Sequence, residues 1–348
     1  MTARRAIGLL VLASVLATAA VAILVFVAPE AAVTGWLYGV LTVAGIPLGA
    51  LSLLLTGRLT GGRWVAATEA GLRPAAATMP LIAVLAVPAV LGAAMVYPWA
   101  VDPAVVKPAI HAYYLNVPGF ILREGAIFLG WSAMTVLVVP RLADERGGAI
   151  AGACLILHVI GAYILTFDWL LSPLPHFTSS SFGAIVALDW VLAGFCFAIL
   201  CLPNDADDKL VNDMGGLLTA GVLGTFYMRL MHLLIIWYGD LPDTNHWYRL
   251  RDGNLALCVV VAAIVIGTLL PLAGLVTGIS RHNLRRLRAT AGLALAGQAL
   301  YRLWEVYPIA GPAALPSCAL ALIAAGTVTF AAWLWLRRNP AREVAHGR

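Results

Sequence analysis

Nine ionisable side chains interrupt the apolar runs of this chain: Arg123, Glu124, His158, Asp168, Asp189, Arg229, His232, Arg302 and Glu305. A charge at membrane depth is costly, so those that persist face the protein interior and serve pairing or function. Arg229 and His232 are three residues apart, as are Arg302 and Glu305, so each pair shares a helix face. Three arginines stand against four carboxylates. Unless His232 is protonated, one carboxylate lacks a full partner, and desolvation makes that group a candidate proton carrier. At about 1.5 Å rise per residue, all but His158 lie in the outer half of their runs. Seven charges from five helices are therefore expected to form one shared cluster. Asp168, Arg123, Arg302, Glu305, Asp189, Arg229 and His232 would suit proton transfer. They would equally suit a structural ion-pair network that locks the helices together.

Other chemistries find no pattern. Two axial histidines for a haem would have to sit at matching depth, yet His158 and His232 differ by about 13 Å along their helices. Cys154, Cys196, Cys201, Cys258 and Cys318 all fall in apolar runs, with no CxxC and no CxxCH, and read as small apolar residues. There is no HExxH, GxSxG or P-loop glycine pattern. The acidic tract NDADDKLVND at 204–213 lacks the glycine and final glutamate of an EF-hand loop. No metal site is expected. The serines at 179–181 read as backbone partners at a helix start, one of them an N-cap.

The elements that must carry these residues are apolar helices. The 348-residue chain is 61% hydrophobic and only 11% charged, with mean hydropathy +0.91, whereas a soluble domain carries roughly 25% charged residues. Ten runs approach the roughly 20 residues needed to cross a bilayer: 6–28, 33–56, 77–99, 119–140, 149–171, 181–203, 214–239, 254–278, 287–309 and 313–336. With the N-terminus inside, 16 basic residues fall on inside segments and 3 on outside ones. That bias sets both termini in the cytoplasm and explains the net charge of +5 without nucleic acid. The N-terminal apolar run of about 22 residues exceeds a signal peptide's hydrophobic region and reads as an uncleaved first span. RWVAATEAGL at 63–72 reads as a short interfacial helix with Trp64 at the head groups. Trp36, Trp99, Trp169, Trp237, Trp247 and Trp304 gather near the outer boundary as an aromatic belt would. The fifth and ninth runs end alike, in FDWLLSPLP and LWEVYPIAG, which is consistent with a repeat of two four-helix units in the same direction.

Three phrases together resemble a known family. FDWLLSPLPHFTSSSFG, HAYYLNVPGFILREGAIFLGW and the stretch from NDMGGLL to LIIWYGDLPD are similar to segments of the F subunit of alternative complex III, in the NrfD-like superfamily of polysulfide reductase membrane subunits. The resemblance runs from about Trp64 to Pro308. It implies an all-α integral membrane protein of ten transmembrane helices, with one flanking helix (1–30), two four-helix bundles (31–172 and 173–310), and a last flanking helix with a basic tail (311–348). It also implies a place in a bacterial inner-membrane assembly that passes electrons from quinol, beside iron–sulfur and multihaem cytochrome c subunits. Carried over residue by residue, it points to Tyr114, Asn116, Arg123, Asp168, Trp169, Pro175, His176, Ser179, Gly183, Asp213, Gly215, Tyr227, Trp237, Tyr238, Pro242 and Arg302, with Glu305 near an aspartate of the family. The chain departs from the pattern at 212–216, where NDMGG stands for HDLGK, and at Glu124, Arg229 and His232, which replace uncharged residues.

From this the chain is expected to be a lipid-embedded, non-autonomous subunit of a quinol-oxidising complex. No cofactor is expected to be covalently bound. A quinone or quinol is expected to meet His176, Trp169, Tyr227 and Trp237 in the periplasmic half, a histidine and aromatic rings suiting a group that releases protons when oxidised. The competing expectations are a purely structural scaffold subunit and, less favoured, a secondary transporter, because broken helices near the midplane are not signalled: the prolines sit mostly near helix ends.

Overall fold

A computed structural model describes residues 3–339; Arg342 and Arg348, counted above among the inside charges, lie outside the described residues. All regular structure among the described residues is helical. The chain begins with α1 (Ala3–Val27), α2 (Pro29–Thr60), α3 (Arg63–Ala76) and α4 (Met79–Leu91). Two short helices, α5 (Pro98–Val101) and α6 (Pro108–Tyr113), lead into α7 (Val117–Ala133), which continues as a π turn over Met134–Val138. Next comes α8 (Gly147–Thr166), ending in a π turn at Phe167–Leu171, then α9 (Phe182–Leu200) and α10 (Asp208–Gly239). The last stretch holds α11 (Pro242–Arg249), α12 (Asn254–Ile264), a π turn at Val265–Leu269, α13 (Leu270–Val276), α14 (Leu284–Val306) and α15 (Leu315–Arg338).

Eight of these helical stretches are long and apolar enough to cross a membrane, or nine if the pair α3 and α4, bent by 41°, counts as one. This is a multi-pass membrane protein, with apolar side chains such as Phe26 (91% exposed) and Val27 (78%) on its outer surface. The 23-residue α14 is long enough but falls outside that set, since it carries Arg285, Arg286, Arg288, Arg302 and Glu305. The run at 77–99 is not one continuous span. It breaks after Leu91, where Pro88, Gly92 and Pro98 each interrupt helical hydrogen bonding or its continuation. RWVAATEAGL is helical, as expected of it, and one of its faces packs on the bundle. Its Thr68, Gly71 and Leu72 face is buried, and Trp333 Nε1 donates to Gly71 O at 3.1 Å.

Helix α2 is the axis of the molecule. Most of its length is buried, and it packs against α15, α9, α3, α8, α4 and α14. In lipid, helices associate through close packing rather than through exclusion of water, so small residues line their contacts. A Cβ on Gly49 would stand 1.8 Å from Trp190 O, and one on Gly39 would stand 2.6 Å from the Ala321 backbone. The same device joins α12's π turn to α14, where a Cβ on Gly297 would reach Gly267 Cα at 2.0 Å. α1 lies outside this core along α15, with Ser14 Oγ donating to Ala324 O at 2.8 Å. The turn from α2 to α3 needs Gly61 and Gly62, whose φ values of 66° and 111° disfavour any side chain.

The tryptophans do not form a surface belt. Trp36, Trp99, Trp169, Trp247 and Trp304 are buried, and only Trp237 of the six is exposed. Four of the buried rings pack on other aromatic rings, as Trp99 does on Tyr97 at 5.4 Å and Trp247 on Trp304 at 5.2 Å, and Trp36 Nε1 donates to Leu85 O at 2.7 Å, so packing rather than the head-group boundary holds them. Of the cysteines, Cys154, Cys196 and Cys318 are buried as expected, whereas Cys258 is exposed on α12.

Candidate functional site

The interrupting charges gather at the end of the bundle that carries the Pro173–Ser181 hairpin, but in two groups rather than one. The first is built by α7 and by the π turn after α8. Arg123 Nε and Nη2 reach the two Asp168 oxygens at 2.8 and 3.2 Å, a bidentate clamp. Arg123 Nη1 also donates to Tyr114 O at 2.7 Å, and its guanidinium lies 3.9 Å from the Tyr114 ring centroid. Asn116 starts α7 by accepting the Gly119 N–H at 2.8 Å, and this fixes the turn that delivers Tyr114. Glu124 lies fully buried beside Asp168 and Trp169, and neither of its carboxylate oxygens has a hydrogen-bond partner.

The second group joins α9, α10 and α14. Asp189 Oδ1 accepts from Arg229 Nη2 at 2.7 Å, while its Oδ2 faces Arg302 Nη2 at 3.5 Å. Arg302 in turn pairs with Glu305 one turn along α14, and the Arg229 guanidinium lies 3.7 Å from the Tyr301 ring centroid. A fourth arginine completes this group. Arg251, between α11 and α12, is only 4% exposed. It donates to Trp247 O at 2.6 Å and to Glu305 O at 2.5 Å, and it lies 3.7 Å from the Trp247 ring centroid. Burial pushes its pKa down to about 10, partly offset by Glu305, so it remains a cation at neutral pH.

No ion pair links the two groups among the described residues. An aromatic run separates them: Trp169 packs on Phe128 at 5.6 Å, Phe128 on Trp131 at 5.8 Å, and Trp131 on Trp190 at 5.8 Å. It leads from the neighbour of Asp168 to the neighbour of Asp189. The charge balance is therefore local. Arg123 faces two carboxylates, and three arginines face Asp189 and Glu305.

His232 belongs to neither ion-pair group. Its Nδ1 lies 2.7 Å from the Tyr248 hydroxyl and its Nε2 lies 3.0 Å from Ser179 Oγ, which is itself 3.2 Å from Ser181 Oγ. Ser181 holds the N-cap position of α9 without a capping side-chain bond. The serine row instead supplies a hydroxyl to the imidazole. His158 is separately bonded through Nε2 to Ser52 Oγ at 2.7 Å. No group of three or more His, Cys, Asp or Glu among the described residues is arranged to hold a metal ion.

The four residues expected to meet a quinone are scattered. Trp169 is fully buried, His176 is exposed on the hairpin, and Tyr227 (59% exposed) and Trp237 (72% exposed) lie on the outer surface of α10. No protein-family model matches this chain, and no curated protein matches it. Sequence reasoning missed Arg251, which stands in a polar connection. Its signal was an arginine four residues after Trp247, near enough through the turn that ends α11 to lie over the indole.

Proposed function

We propose that the chain is a ten-span membrane subunit of a quinol-oxidising respiratory assembly of the alternative complex III type, in the bacterial inner membrane. In this reading both termini are cytoplasmic and the hairpin end faces the periplasm, with α14 and the bent α3–α4 pair among the spans. Iron–sulfur and multihaem cytochrome c subunits would carry the electrons. This chain would contribute a proton-transfer or quinone-head-group site in the periplasmic half.

The observation that supports this reading most is the sharing of Asp189. One buried carboxylate serves Arg229 and Arg302, and Arg302 also serves Glu305. When Asp189 takes up a proton, Arg302 keeps Glu305 as its partner, so that only the Arg229 pairing is given up. The hydroxyl–imidazole row Ser181, Ser179, His232 and Tyr248 at the same end suits the onward path of a proton.

A structural scaffold is the second reading, supported by the bidentate Arg123–Asp168 clamp, which leaves neither partner free. Arg302→Ala and Asp168→Asn separate the two. A proton-transfer role predicts lower quinol oxidation per assembled complex with assembly intact on a native gel. Full turnover in both variants would remove any chemical role for the charges, and loss of the assembly with normal turnover of what remains would establish the scaffold.

A further inference from the structure

A cavity of about 310 Å³ lies where the two halves of the chain meet, between α2, α9, α14 and α15. Its volume matches the lower range of small-molecule sites. Asp189, Gln298 and Arg302 stand at one end, and Phe197, Phe330 and Trp333 at the other. Along α15 the lining runs from Leu322 to Trp333, about 16 Å at helical rise. The three aromatic residues also line a groove on the protein surface beside Arg288 and Arg337, so they form the wall between the cavity and the side opposite the hairpin.

Two polar atoms of the lining are buried with no partner, Gln298 Nε2 and Thr329 Oγ1. Such atoms are costly inside a protein and point to a ligand that completes them. Gln298 and Arg302 are four residues apart, hence on one face of α14, and both present N–H donors. Asp189 Oδ2, at 3.5 Å from Arg302, stands beyond ordinary hydrogen-bond length and keeps room for a second donor. The site thus offers an amide donor and a carboxylate acceptor at the polar end of an apolar shaft.

We infer that this cavity binds an isoprenoid quinone or quinol, its head group between Gln298 and Asp189 and its tail leaving past Phe197, Phe330 and Trp333 toward the opposite leaflet. The inference rests on the quinol-linked reading above and gives it a site distinct from His176, Trp169, Tyr227 and Trp237. A quinone carbonyl accepts from Gln298 Nε2, and a quinol hydroxyl donates to Asp189. A fatty acid's carboxylate would have to compete with Asp189 and Glu305 for Arg302, the guanidinium of the lining. A phospholipid head group is too large and too strongly hydrated for the buried end.

The test is photolabelling of the full chain, purified in mild detergent, with a short-chain azidoquinone, followed by peptide mapping. The label is expected on α9, α14 or α15 within the lining. Gly326 lines the cavity, and a Cβ there would meet only Val43 Cγ2, at 3.9 Å, so the backbone tolerates a side chain at that point. Gly326→Leu, which fills the shaft, should lower labelling about tenfold, as should Gln298→Leu, while Gly326→Ala should leave it near that of the unaltered chain. Labelling confined to the hairpin or the outer face of α10, labelling indifferent to both Gly326→Leu and Gln298→Leu, or displacement by oleate as readily as by unlabelled quinone would each overturn the inference. An assembled complex that oxidises quinol yet takes no label here would sink this site and leave the subunit reading standing.

Discussion

Asp189 Oδ1 accepts a hydrogen bond from Arg229 Nη2 at 2.7 Å, joining α9 to α10 inside the bundle. The same carboxylate faces Arg302 on α14, so three helices depend on one side chain. Asp189→Ala leaves two nearly buried guanidinium groups short of counter-charge. Removing one partner of a buried pair costs about 3–5 kcal/mol. The thermal midpoint of the purified chain should fall sharply, and an unchanged midpoint would show that the pairing carries no stability.

Arg251 fastens α11 over the second group through two backbone carbonyls and the Trp247 ring. Lysine retains the charge but cannot make both bonds while stacking. Arg251→Lys should therefore loosen α11, with a loss of about 1.5–3 kcal/mol for bonds to a charged donor. Limited proteolysis within 240–253 should quicken relative to the unaltered chain, and equal rates would argue against this clamp.

Gly49 and Gly326 make a matched pair. A methyl group on Gly49 collides with Trp190 O, whereas one on Gly326 meets only Val43 Cγ2, at an ordinary contact distance of 3.9 Å. Overpacking of a tight contact costs typically about 1–3 kcal/mol. Gly49→Ala should lower the thermal midpoint and Gly326→Ala should not. Equal midpoints would mean that α2 and α9 can separate without penalty.

Much of the candidate site was legible because ionisable residues stand out against apolar runs. Arg123, Asp168, Asp189, Arg229, Arg302 and Glu305 are all buried or nearly so, at the hairpin end. Depth along a helix, however, says nothing about direction around the bundle. Hence one expected cluster became two, divided by Phe128 and Trp131. The buried tryptophans misled for a related reason: their amphipathic rings suit a head-group belt and a packed core alike. Arg251 was hidden by its polar neighbours, since its burial depends on α11 folding back over α14. The break in the third run was written in Pro88, Gly92 and Pro98, and apolar length overshadowed it.

Asp207 connects sequence to pH outside the membrane. Its Oδ1 accepts the Leu210 N–H at 2.6 Å as N-cap of α10, and its Oδ2 pairs with Arg63 at 2.6 Å. The cap bond first, and then Arg63, hold its pKa below the usual carboxylate value. A depressed folded-state pKa gives stability that is present above the unfolded value and lost as pH falls through the folded one. The difference in midpoint between the unaltered chain and Asp207→Ala should begin to shrink as pH falls below about 4 and vanish once the folded carboxylate is itself protonated. Asp207→Asn, which keeps a capping oxygen, should lie between the two at neutral pH. A difference that persists in acid would place the effect elsewhere.

Glu124 separates stability from function most directly. It is fully buried, both oxygens lack hydrogen-bond partners, and its nearest cation, Arg123, is already clamped to Asp168. A buried carboxylate in that position contributes nothing to packing that an amide could not, and polar groups left unsatisfied inside a protein cost free energy. Glu124→Gln should therefore leave the thermal midpoint unchanged or raise it, in contrast to Asp168→Asn, which breaks the clamp. If the carboxyl carries a proton during turnover, the same Glu124→Gln complex should assemble fully and oxidise quinol more slowly, with the deficit persisting at saturating quinol. A variant that is less stable would show an undetected partner for Glu124, and one with normal stability and normal turnover would exclude it from the proton path.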